Sequence, residues 1–206
     1  MEPLPLGVDS ICEIGSSIVA FAIAYYSLSW YRLTREDILL KLNLSFSLLG
    51  SGLLVHGVVK LAFFLRAVRG MRIAPPKMNP AIRWAYLICF ISELAAYAIL
   101  LLTYASRARI TRPLAVLLFP PKEYEPVTEM ILVFLTAMVT AYSASAYSIG
   151  RARNQFLVSL GFFLITLSRI SVLLSQVSMA FFLASSLLQL VGFSCFLLML
   201  VRVRMG

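Results

Sequence analysis

The chain is a succession of apolar runs, each closed by a short polar or arginine-bearing break. A membrane-spanning helix needs about 20 mostly apolar residues, and six runs meet that length, at approximately 11–31, 38–65, 84–104, 129–149, 155–175 and 179–201. The first opens on Ser10-Ile11-Cys12-Glu13, the spacing of a capping box. It closes on Trp30, Tyr31 and Arg32, an interfacial anchor. Thr34-Arg35-Glu36-Asp37 supplies a second cap, and the run that follows is long enough to tilt. Arg66 to Asn79 reads as a loop with Gly70 and Pro75-Pro76, and Asn79-Pro80 starts the third helix. Arg107 to Pro126, rich in proline, reads as the longest loop; its apolar piece, Leu114 to Phe119, is too short to cross and is expected at the interface. Gly150 to Asn154 is a tight turn. From Gln155 to Val201 the chain is nearly continuously apolar, and a break is placed at Ser175-Gln176-Val177-Ser178.

These elements predict an all-α polytopic integral membrane bundle of six transmembrane helices, one domain over residues 1–206. An internal repeat is one reading of the pattern. The stretch ending at Phe46 aligns with that ending at Phe162, so that Tyr31 falls on Tyr147, Arg35 on Arg151 and Leu44 on Leu160. Two tandem three-helix halves would then sit in inverted topology, as in many transporters. Chance alignment of apolar helices with Arg-rich ends is the other reading.

Composition agrees with the pattern. The chain is 61% hydrophobic and 13% charged, against about 45–50% and about 25% in soluble domains. A soluble protein so apolar could not cover its surface with polar groups. The net charge of +9 does not point to nucleic acid, because the basic residues cluster at the borders of the apolar runs, where they meet anionic lipid. Membrane lipid is therefore the expected partner, with other membrane subunits or a second copy as further ones, in a prokaryotic cell membrane. The start, Met1-Glu2-Pro3, lacks the basic n-region of a signal peptide, so the first run is read as a permanent span. Cys12, Cys89 and Cys195 are scattered inside apolar runs and form no disulfide framework.

Sidedness stays open at this level. With the N-terminus inside, nine Lys/Arg lie inside and seven outside, while the acidic flank of the first span argues the reverse.

A charge at the bilayer centre costs at least ~2.5–3.5 kcal/mol on insertion scales, so the few intramembrane polar residues carry the information. They are His56, Glu93, Arg169 and Gln189. Their depths let them converge in one buried cluster. That cluster either fixes helix register through pairing or forms a proton or substrate site. Lys60 is expected to snorkel to the interface, and Glu123, Glu125 and Glu129 read as an acidic helix start. Ser16, Ala20 and Ala24, and likewise Ala137, Ala141 and Ser145, form small-residue ridges for helix packing, within the bundle or with a second copy. Gly50 and Gly57 extend that pattern.

No phosphate loop, nucleophile elbow or zinc-protease motif is present, and no cofactor or metal ion is implied. A single histidine excludes bis-histidine haem within one chain. The expected function is therefore non-enzymatic: an accessory, anchoring or sensing module of a larger membrane assembly. A small proton-coupled or solute transporter with a midplane polar site is the alternative.

Overall fold

Each apolar run becomes one long helix. The structure, a computed structural model, describes residues 3–69, 80–107, 126–150, 153–175 and 178–205. The helices are α1 (Pro3–Thr34), α2 (Asp37–Val68), α3 (Pro80–Arg107), α4 (Pro126–Gly150), α5 (Arg153–Leu174) and α6 (Met179–Met205). All six are long and apolar enough to cross a membrane, so this is a multi-pass integral membrane protein. The breaks at 35–36 and 175–178 fall where the sequence places them. Most helices run past the expected span by several residues, because the flanking polar residues continue the backbone ladder outside the apolar window.

Two expected caps differ. Since α1 starts at Pro3, Ser10 and Glu13 lie inside a helix and do not cap it. At the α2 start the N-cap residue is Glu36, which makes no side-chain cap bond. Instead α1 closes with Arg35 in the left-handed conformation (φ 59°), its amide donating to the Tyr31 carbonyl at 2.8 Å. Asn79, Gly70, Pro75-Pro76 and the apolar piece 114–119 lie outside the described residues.

The helices form a closed ring in chain order, each packed on the next and α6 returning to α1. Their directions come from the side-chain contacts. Tyr86, near the start of α3, bonds to Thr128 (2.9 Å) and Glu129 (3.3 Å) at the start of α4. Tyr104, near the end of α3, packs edge-on against Phe162 near the start of α5. Thr140 meets Thr166 at 3.0 Å between α4 and α5. Helices α3 and α4 therefore run in the same direction, both antiparallel to α5. This corrects the inverted arrangement of the two halves. The sequence reading assumed that 107–126 joins neighbouring ends, whereas the ends that it joins lie at opposite ends of the bundle. At one end, the upper end, α1, α3, α4 and α6 begin and α2 and α5 finish; the reverse holds at the lower end.

The lower half is filled by apolar side chains. Phe46, Phe162, Phe193 and Phe196 stack edge to face, with Phe162 and Phe196 centroids 4.7 Å apart. Edge-to-face pairs add stability beyond area burial. Ser16, Ala20 and Ala24 are buried, as expected of a packing ridge. The other ridge is not: Ala137, Ala141 and Ser145 are exposed on the outer face of α4. Gly57 lets α1 close in, its missing Cβ being 3.3 Å from the Ser10 carbonyl oxygen.

The closest approach is between α5 and α6. A Cβ on Gly161 would stand 2.9 Å from the Phe196 ring and 3.0 Å from the Gly192 carbonyl oxygen. Gly161→Ala is therefore expected to destabilise the bundle by about 1–3 kcal/mol through overpacking, although alanine favours a helix by about 1 kcal/mol. Gly15→Ala, whose Cβ meets only the tip of Leu190 at 3.3 Å, is the control expected to be neutral or stabilising. Thermal unfolding of both variants in one detergent checks the contrast; equal behaviour would remove the packing argument.

Candidate functional site: a buried charged network in the upper half

The upper half of the ring holds nearly all the ionisable groups of the bundle interior. On α1, Asp9 and Glu13 lie four residues apart and share one helix face. On α2, His56 and Lys60 have the same spacing and face them. Lys60 Nζ donates to Asp9 Oδ2 at 2.6 Å and to Glu13 Oε1 at 2.8 Å. His56 Nδ1 is 3.2 Å from the same Glu13 oxygen, and Ser186 of α6 donates to Asp9 Oδ1 at 2.6 Å. Three helices thus meet on one ion cluster.

A second cluster sits beside it on α3, α4 and α5. Arg169 pairs through Nη2 with Glu93 Oε1, and its Nη1 is 3.7 Å from Glu129 Oε2. The first separation is a hydrogen bond and the second only an ion-pair distance. Tyr86 links the clusters: its hydroxyl touches Glu129 and Thr128, and its ring lies edge-on to His56 with centroids 6.0 Å apart. Three of the carboxylates are almost fully buried. Glu93 is 2% exposed, Glu129 4% and Asp9 5%. Polar groups taken from water in this way need partners, yet Glu13 Oε2, Glu129 Oε2 and Arg169 Nε have no hydrogen bond.

The expected cluster is therefore partly reassembled. Glu93 and Arg169 come together directly. His56 belongs to the neighbouring cluster, one tyrosine away. Gln189 is half-buried on α6 and makes no hydrogen bond to either. Four participants escaped the sequence reading. Lys60 does not snorkel outward but points inward, because two carboxylates await it. Glu129 is a helix-start acid, yet its face turns toward Arg169. Asp9 and Glu13 resembled a helix flank and a cap. The signal that could have found Asp9, Glu13 and Lys60 is the matched four-residue spacing of Asp9/Glu13 and His56/Lys60 on adjacent spans.

Compared with protein-family models, curated proteins and solved structures, the chain finds no match. The site must speak through its own chemistry. Among the described residues no group of His, Cys, Asp and Glu has the geometry to hold a metal ion. The lower half carries a cavity of about 130 Å³ between α1, α2, α3, α5 and α6. Its walls include Leu42, Phe46, Leu100, Phe162 and Phe196, with Thr103 as a polar exception. The stacked phenylalanines stand between that cavity and the charged network. What the network does is oppose the separation of helices that carry opposite charges.

Proposed function

We propose that this protein is a non-enzymatic multi-pass membrane module, an accessory or sensing subunit of a larger membrane assembly in a prokaryotic cell. The observation that carries the reading is the network itself: two largely buried charge clusters, bridged by Tyr86, between them draw on all six helices. Changing one charge there changes the balance of forces between helices, which suits a device that reports on its surroundings. The exposed small-residue face of α4, with Ala137, Ala141 and Ser145, supports a role beside another helix.

A second reading, a small proton-coupled carrier, is favoured by the lower cavity and by the arrangement of the halves. The buried α5 residues Gly161, Phe162, Ile165, Thr166, Ser168 and Arg169 fall 116 positions after Ser45, Phe46, Leu49, Gly50, Gly52 and Leu53, all buried on α2. The same shift carries Glu13 to Glu129 and Arg35 to Arg151. These coincidences support a tandem repeat of two parallel halves, an arrangement also found in transporters. Against the carrier stands the phenylalanine stack across the middle.

Basic residues bear on the sidedness. With the directions found here, Arg32, Arg35, Lys41, Arg107, Arg153, Arg202 and Arg204 lie toward the lower end, and Arg66, Arg69 and Arg83 toward the upper. Among the described residues this excess at the lower end supports a cytoplasmic lower end. The acidic flank of the first span now agrees with the loop charges.

Gentle solubilisation from the native membrane separates the two functions. The module reading expects other polypeptides in fixed ratio with this chain. A particle containing this chain alone, together with pH-dependent solute flux in liposomes, would replace it with the carrier.

A further inference from the structure

The cavity in the lower half has the form of a cup. Its floor and inner wall are the buried side chains of Ile23, Phe46, Leu100, Phe162 and Phe196. Its rim is half-buried: Ile38 and Leu42 near the start of α2, Tyr104 in the last turn of α3, Val158 on α5 and Met199 on α6. All five rim residues lie toward the lower ends of their helices, so the mouth faces that way. From Ile38 at the rim to Phe46 at the floor, α2 rises about 12 Å. Under the shift of 116 positions, Leu42 and Phe46 on one wall correspond to Val158 and Phe162 on the other. The cup therefore lies where the two halves meet, the place where repeat-built membrane proteins bind their ligands.

Water does not suit this space. A buried water needs about two to four polar partners, and Thr103, the polar residue of the inner wall, already donates its hydroxyl to the Ile99 carbonyl at 2.7 Å. A cavity of about 150 Å³ with aliphatic and aromatic walls stays dry and takes up a benzene-sized guest. The 130 Å³ here accordingly holds a short length of hydrocarbon. The surroundings of the mouth select what that hydrocarbon carries. Toward the lower end, seven basic residues stand against two acids, Glu36 and Asp37, among the described residues. Two of the seven border the cup. Lys41 follows Ile38 by three positions and Arg202 follows Met199 by three, a spacing that makes neighbours on a helix surface. Both are exposed, with stems long enough to carry a charge toward the mouth. The cup is walled by five helices, so the second chain of a phospholipid would have to cross its rim. We propose that the lower cavity binds the chain end of a single-chain anionic amphiphile, whose head is held at the lower end by Lys41 and Arg202.

The site gives the sensing module its ligand and in that sense rests on the module reading. Binding is measured on the isolated chain, so an absence of partner subunits and an absence of binding are separate results. Decanoate carrying a diazirine near its methyl end is irradiated with the full chain in lipid nanodiscs, and the labelled residues are read by mass spectrometry. The label should fall on the cup floor, at Phe46, Leu100 or Phe162. Val158→Trp, which sets a large ring at the half-buried rim, should reduce this labelling by about tenfold or more. Where that variant does not fold, Leu42→Trp takes its place. Lys41→Gln combined with Arg202→Gln should weaken displacement of the label by plain decanoate, by up to about fivefold per residue. Decanoate and a lysophospholipid with a phosphate head are both tried as competitors. The one that acts at lower concentration tells a free fatty acid from a lysolipid as the source. Decanol at equal bilayer concentration should not displace the label. Displacement by decanol as strong as by either anion overturns the proposal, as does labelling confined to lipid-facing residues such as Phe134 and Val191. Labelling unchanged by the tryptophan, or competition unchanged by loss of the two charges, overturns it as well.

Discussion

Replacing Arg169 by alanine is expected to lower the stability of the folded bundle by about 3–5 kcal/mol, the usual consequence of removing one partner from a buried ion pair. Arg169 is the only cation within ion-pair distance of Glu93 and of Glu129 among the described residues. Without it, Glu93 keeps a carboxylate that is 2% exposed and has lost its partner. The chain can respond by protonating Glu93, which limits the loss, or by letting water in between α3, α4 and α5. Either response loosens three helices at once. The control is the triple change Arg169→Met, Glu93→Gln, Glu129→Gln, which removes every charge of the triad together. Swapping a buried ion cluster for groups of similar volume is often neutral, so this variant should recover most of the loss. Thermal unfolding in one detergent measures both. A single variant as stable as wild type would mean that the pair contributes nothing to the fold.

The second large effect concerns topology and is all-or-none. In a background where Cys12, Cys89 and Cys195 are replaced, Arg35→Cys and Arg153→Cys should react with a membrane-impermeant maleimide only after the cells are opened. Arg69→Cys and Ser178→Cys should react in intact cells. The assignment follows from the Tyr86 contacts, which make α3 and α4 parallel, and from the excess of basic residues at the lower end among the described residues. The decisive comparison is Arg35 with Arg153, because an inverted pair of halves would put them on opposite sides. Labelling of Arg153→Cys together with Arg69→Cys would sink the parallel arrangement, whichever side is inside.

The six helices were legible because hydrophobic length is a local property. A run such as 84–104 has to satisfy its backbone inside lipid, and only a helix does this within one segment. The break at Ser175–Ser178 was equally local, a polar interruption in an apolar run twice the length of one span. Glu93 and Arg169 were legible for a related reason: an ion at that depth needs a partner, and few were available.

What the sequence by itself determined was therefore the number of spans, their limits within a few residues and the few intramembrane ionisable residues for which pairing was one of two readings. All of these follow from the transfer free energy of single segments. Tertiary structure alone decided the direction of α4 against α3, the inward aim of Lys60 and Glu129, and the exposure of Ala137, Ala141 and Ser145. The physical reason is that both faces of a membrane helix are apolar. Lipid is as apolar as a neighbouring helix, so hydrophobicity does not tell the side chains which way to face. That choice is made by a few polar contacts between segments distant in sequence, Tyr86 with Thr128 and Glu129, Lys60 with Asp9 and Glu13, and these exist only once the ring has closed.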